Sequence, residues 1–273
     1  MGDAVPFGGL VLALAGVIAL YVSATPALPV PLGLPLALTL LAFAGLMRHV
    51  IRLPPGWLLL LALPGGCLLG FASEVGDAIW IRLLVTVIAV VGGTLVADFD
   101  SRYRRSSLAL PLYAMSCLGV YFTVPDTEQA IVLLAVSVVV AVAAWPVPFV
   151  SMGPSGAFAS VGLLAWVVAV GGTGRQSAIV GGVGCLALLV TEPVSRLLGS
   201  RTALGRPWTG ARRLLPAAAI QLLLVSFSSR VVGLRPSVAQ AAVLGAAQGG
   251  AAMALVIGLG RLLPEEKVHR AEK

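Results

Sequence analysis

Long apolar runs separated by short charged clusters make up nearly the whole chain. A helix needs about 20 apolar residues to cross the hydrocarbon core of a bilayer, so the uncharged gaps can be counted as spans. Asp3 to Arg48 leaves room for two, around the break Ser23-Ala24-Thr25-Pro26. The gaps Arg52 to Glu74, Arg82 to Asp98 and Arg105 to Asp126 hold one each. Glu128 to Arg175 again has room for two, broken near Met152-Gly153-Pro154-Ser155-Gly156. Arg175 to Glu192, Arg213 to Arg230 and Arg235 to Arg261 hold one each. The pattern predicts an all-α, polytopic integral membrane helix bundle of about ten transmembrane helices. It forms a single transmembrane domain over 1–273, with a short charged tail at 264–273.

Charge gives this bundle an orientation. Lys and Arg concentrate in cytoplasmic loops. With the N-terminus inside, the inner loops carry Arg48 and Arg52, then Arg102, Arg104 and Arg105, then Arg196, Arg201, Arg206, Arg212 and Arg213. The tail adds Arg261, Lys267, Arg270 and Lys273, so both termini are cytoplasmic. Glu74, Asp77, Asp126 and Glu128 fall outside, with Arg175, Arg230 and Arg235. A single span between 129 and 174 would move the five-Arg loop to the outside, which disfavours nine spans. Tyr21, Trp80 and Tyr121 lie near outer ends and Trp57, Tyr103 and Trp145 near inner ends, as an interfacial aromatic belt requires. Trp166 falls mid-span and is expected to pack inside.

Composition narrows the class further. The 273 residues are 59% hydrophobic and 11% charged, with a mean hydropathy of +1.02. A soluble domain carries about 25% charged residues, so a soluble enzyme and a nucleic-acid module are excluded. The net charge of +7 therefore reads as membrane orientation and not as a nucleic-acid footprint. Sixteen of the basic residues are Arg and there is no Asn. This bias suggests a high-GC bacterial source and places the protein, multi-pass, in the bacterial plasma (cell inner) membrane. Cys67, Cys117 and Cys185 are far apart, and only His49 and His269 are present, so no metal site and no cofactor is expected.

Ten spans divide five and five, and an odd number per half inverts the second half. The halves would be 1–127 and 128–263. Inverted repeats are common in secondary transporters, where Gly- or Pro-interrupted helices at matching positions mark the substrate site. The third span of the first half contains Pro64-Gly65-Gly66-Cys67-Leu68, and that of the second half Gly181-Gly182-Val183-Gly184-Cys185-Leu186. Gly65, Gly66, Gly181 and Gly182, with the deep polar residues Gln221 and Gln248, are the substrate-binding candidates. The competing reading is packing. Gly66/Gly70 and Gly245/Gly249 have GxxxG spacing, and glutamines in membranes commonly hydrogen-bond between helices.

A second set of candidates lies at the inner face. Asp98, Asp100, Arg102, Arg104 and Arg105 could hold a lipid phosphate, and so could the acid-free loop with Arg196, Arg201 and Arg206. Anionic inner-leaflet headgroups are the expected lipid partners, and the loop 194–213 could dock an acidic protein partner. The plainer reading of both is topology. Glu192 and Arg196 are spaced i, i+4 near an inner helix end, although Pro193 interrupts them.

Two resemblances complete the reading. Gly153-Pro154-Ser155-Gly156-Ala157 resembles the GxSG nucleophile motif of rhomboid intramembrane proteases, and Ala247-Gln248-Gly249-Gly250 the stretch where that family carries its catalytic His. Gln248 stands at that position, and glutamine cannot serve Ser155 as a general base. In outline the chain is similar to the drug/metabolite transporter superfamily, which has ten helices in two inverted halves within a short chain. That similarity implies a carrier but fixes no residue. Three functions follow in order of preference: a permease or flippase-like carrier of a small or amphipathic solute, a non-catalytic subunit of a larger membrane complex, and a lipid-phosphate-active enzyme. With no complete catalytic signature, the sequence leans away from the enzyme.

Overall fold

The computed structural model describes residues 8–23, 31–51, 53–72, 78–103, 109–123, 151–171, 176–198, 211–234 and 237–262. The sixth expected span, Arg104, Arg105, Arg201, Arg206 and the tail 264–273 lie outside these residues, as does the side chain of Arg196. The helices are α1 (Gly8–Ser23), α2 (Gly33–Ile51), α3 (Pro55–Ala72), α4 (Ile79–Val87), α5 (Gly93–Tyr103), α6 (Ala109–Thr123), α7 (Gly153–Gly171), α8 (Gln176–Gly184), α9 (Ala187–Leu197), α10 (Ala211–Gly233) and α11 (Val238–Leu262). A π-helical turn, Ile88–Gly92, joins α4 to α5 without a break. The fold is all-α, with no strand among the described residues. At least three helices are long and apolar enough to cross a membrane: Gly33–Ile51, Ile79–Arg102 and Gly153–Gly171. This is the architecture of a helical multi-span membrane protein.

Local chemistry sets the helix ends. α1 stops at Ser23, where Thr25 and Pro26 follow. α3 starts at Pro55, whose missing N–H falls among donors that no helix start can satisfy internally. α7 starts at Gly153, at φ 71°, directly before Pro154. A side chain is strained in that left-handed region and glycine is not.

α7 is the centre of the molecule. Every residue from Gly153 to Ala169 is buried. It packs against α1, α2, α5, the π turn and α8, and more lightly against α3 and α4. Its small residues let neighbours approach. A Cβ on Gly162 would meet Leu41 at 2.8 Å, and one on Gly93 of α5 would meet Phe158 at 2.6 Å. Trp166 is buried within the core, as its mid-span position predicts.

The helices fall into two groups. One comprises α1 to α5 around α7; the other comprises α6, α8, α9, α10 and α11. They meet where α5 packs on α9 and α7 on α8. Tyr113 of α6, also buried, donates to the Ser160 carbonyl of α7 at 2.8 Å. Apolar side chains such as Trp57, Leu60, Leu63 and Phe71 of α3 face outward, a surface suited to lipid.

Candidate functional site

The second helix group contains an interior break. Three glycines in the run Gly181 to Gly184 weaken α8 by about 1 kcal/mol each relative to alanine. α8 stops at Gly184 and α9 restarts at Ala187, with Cys185 and Leu186 in a turn between them. The Cys185 N–H is shared between the Gly181 and Gly182 carbonyls at 3.2 Å each, and Leu186 N–H bonds Val183 at 3.0 Å. The last turn of α8 thus tightens before the chain departs.

Side chains from two other helices converge on the break. The Cys185 carbonyl accepts Ser116 Oγ of α6 at 2.8 Å and Gln221 Nε2 of α10 at 2.6 Å. Gln221 Nε2 also bonds Ser116 Oγ at 3.0 Å. All three residues are fully buried. The three polar atoms lie within 2.6–3.0 Å of one another, so the Gln221 amide nitrogen reaches both acceptors. Turning the amide over would set its oxygen against the Cys185 carbonyl, so the assignment follows from the network. The Gln221 Oε1 atom is buried and has no hydrogen-bond partner among the described residues.

A second glutamine lies beside the first. Gln248 of α11 donates to Ser228 Oγ at 2.5 Å and to the Leu224 carbonyl at 3.1 Å, both on α10. Its amide lies over Gly184, so a side chain at that position would have to displace the Gln248 amide. Gly182 packs on Val168 of α7, and Gly119 of α6 makes room for the Cys185 sulfur. Gly181 accepts the Cys185 thiol at 3.4 Å.

The structure therefore gathers Gly181, Gly182, Gln221 and Gln248 around one break and places Gly65 and Gly66 elsewhere. Gly65 lies against Leu41 and Ala37 of α2, and Gly66 against Val90 and Thr86. Thr86 Oγ1 bonds the Gly66 carbonyl at 3.1 Å. α7 packs on both α3 and α8. Ser116 and Ser228 were missed by sequence reasoning. The signal for Ser116 was a hydroxyl in the middle of an apolar run, while Ser228 lies in the polar stretch Ser226-Phe227-Ser228-Ser229-Arg230.

The described members of the Asp98–Arg105 cluster separate. Asp98 pairs with Arg102 at 2.8 Å on its own helix and lies 3.7 Å from Arg48 of α2. These groups are partly exposed, and such pairs contribute about 0–1 kcal/mol. Asp100 turns the other way and is buried. Its two oxygens accept Met152 N–H at 3.1 Å, just before α7, and Gly153 N–H at 2.9 Å, the first donor of α7. It is a helix cap supplied from another helix, favoured by the positive end of the α7 dipole. Glu192 is fully buried within α9, and Pro193 lies inside that helix.

The rhomboid-like stretches stay apart. Ser155 sits at the start of α7, where Gly45 of α2 lies against the backbone of Pro154 and Ser155. Gln248 belongs to the network around Gly184 and Ser228. No protein-family model matches this chain, and no curated protein matches it.

Proposed function

We propose that the chain is a permease- or flippase-like carrier of a small or amphipathic solute, with its site at the break between α8 and α9. The single observation that carries this is the buried network of Ser116, the Cys185 carbonyl and Gln221 at an interrupted helix. Backbone that leaves the helical ladder at membrane depth is tolerated where protein buries it or where it lines a cavity. Transporters place their sites at such interruptions. The buried acceptor on Gln221 adds a group available to a solute. The division of Asp98 and Asp100 between different neighbours favours the carrier over a lipid-phosphate enzyme, which needs both carboxylates at one headgroup.

In this reading ten spans in two inverted halves, 1–127 and 128–263, cross a bacterial plasma membrane with both termini inside. The basic loop 194–213 contacts anionic headgroups or a protein partner. Alternating access opens the break to water from one side at a time.

Cys185 tests this directly, because its side chain is buried at the break. In a variant with Cys67→Ala and Cys117→Ala, a small water-soluble methanethiosulfonate should label Cys185 in intact membrane vesicles within minutes. Labelling only after detergent unfolding would mean a permanently dry core. The carrier reading would then fall and the non-catalytic subunit would replace it.

A further inference from the structure

We infer that Arg48 of α2 and Arg102 of α5, on either side of Asp98, bind the phosphate of an anionic phospholipid. This site requires no transport and stands or falls apart from the carrier reading. A guanidinium carries five N–H donors in a rigid fork and is always charged. Arg102 Nε spends one of its donors on Asp98 Oδ2 at 2.8 Å. Arg48 Nη2 lies 3.7 Å from Asp98 Oδ1, which is too far for a hydrogen bond. Arg48 therefore makes no hydrogen bond among the described residues. Its side chain is only 23% exposed, so water reaches part of it at most. A charged group so placed costs free energy until something accepts from it.

The neighbouring charges decide the sign of the ligand. Two guanidinium groups approach different oxygens of one carboxylate, which leaves one positive charge uncancelled. Asp100, the other acid on α5, is committed to the Met152 and Gly153 N–H groups. The site is also open, because Arg102 is 41% exposed and Asp98 27%. Guanidinium forks match the paired oxygens of a phosphate.

Depth and surroundings favour a lipid over an ion from solution. Arg48 stands in the last turn of α2 and Arg102 in the last turn of α5, each at the end of a membrane-length apolar helix. Val50 and Ile51 follow Arg48 and are exposed, and so is Trp57 at the start of α3, at the same end. Tryptophan beside apolar side chains at a span's end suits the headgroup region of a bilayer. A phospholipid covers that apolar surface while its phosphate meets the two forks, and a free phosphate ion leaves it bare.

The test is thermal unfolding of the purified protein in dodecyl maltoside at constant ionic strength. Dihexanoyl phosphatidylglycerol, dihexanoyl phosphatidylcholine and inorganic phosphate are titrated separately. A ligand of the folded state raises Tm by mass action. The expected result is a saturable rise with phosphatidylglycerol, at concentrations where phosphatidylcholine and phosphate have no effect. Arg48→Gln removes a charge-assisted contact and should raise the half-saturating concentration about tenfold. Arg102→Gln, at a more exposed position, should act in the same direction and supplies a second arm if the first variant fails to fold. Arg230→Gln removes an equal charge from α10 and should leave the half-saturating concentration unchanged. An equal rise with phosphatidylcholine overturns the recognition of charge, and an equal rise with inorganic phosphate overturns the lipid as occupant. No rise at all overturns the site. So do Arg48→Gln and Arg102→Gln variants that bind like the parent, or an Arg230→Gln variant weakened as much as they are.

Discussion

Replacing Asp100 tests whether the Asp-Phe-Asp stretch serves structure or chemistry, because the two roles predict different effects on stability. Its carboxylate accepts the Met152 and Gly153 N–H groups at 3.1 and 2.9 Å in a buried site. Hydrogen bonds to a charged group contribute about 1.5–3 kcal/mol each. Losing a helix N-cap costs about 0.5–2 kcal/mol. The bonds share one carboxylate and are not additive, so Asp100→Ala should destabilise by about 3 kcal/mol. Asp100→Asn keeps one acceptor oxygen and turns an NH2 toward the second donor, so about half that loss is expected. The assay is unfolding in mixed micelles by SDS titration, followed by the fluorescence of Trp166, which lies on α7 itself. A carboxylate kept for phosphate chemistry predicts the opposite sign, since removing a functional group often leaves a protein as stable or more so. If both variants unfold within about 0.5 kcal/mol of the parent, the capping role is refuted.

Two further substitutions probe how the helices are held together. Gly45→Ala drives a Cβ to 2.5 Å from the Pro154 carbonyl oxygen and 2.6 Å from Ser155 Cα. These are backbone atoms and cannot rotate away, so a loss of about 1–3 kcal/mol is expected in the same titration. An unchanged midpoint would mean that α2 and α7 are not so close. Thr86→Val removes the hydroxyl that bonds the Gly66 and Arg82 carbonyls at 3.1 and 2.9 Å. Hydrogen bonds between membrane helices average about 0.6 kcal/mol, so the effect should be small, and a loss above about 2 kcal/mol would contradict it.

Much of this architecture was legible because charge is so sparse. The break at Ser23 and the start at Gly153 are where turn residues interrupt apolar runs, and the structure ends α1 and begins α7 there. Which helix is central was not legible. α3, exposed along one side, and α7, enclosed on all sides, are both apolar around their whole circumference. Lipid and protein interior make the same demand on a side chain, so periodicity carries no signal. The divergence of Asp98 and Asp100 could have been foreseen. Residues two apart on a helix point about 200° apart at 3.6 residues per turn, so a D-x-D pair converges only off a helix. Within the candidate site, the glycine run announced the break and Gln221 and Gln248 stood out as deep polar residues, while the groups they bond did not declare themselves. Gln221 reaches Cys185 across 36 residues, and Ser116 reaches Cys185 across 69. Such pairings are set by tertiary packing and not by spacing.

The enclosure of α7 also dictates an order of assembly. Synthesis delivers α1 to α5 first, and a protein's earlier parts begin to fold while later ones are still being made. Until residue 153 is made, these helices lack the helix they pack around, and the Asp100 carboxylate lacks the donors of residues 152 and 153. A helix entering that position from lipid exchanges hydrocarbon for protein on nearly every face. The apolar area thereby gained is close to nil, because lipid is as apolar as the protein around that position. What draws the helix in is close fit at Gly45, Gly93 and Gly162, together with the cap at its leading end. A truncation just upstream of α7 would therefore leave α1 to α5 without the helix they pack around, a substrate for membrane quality control.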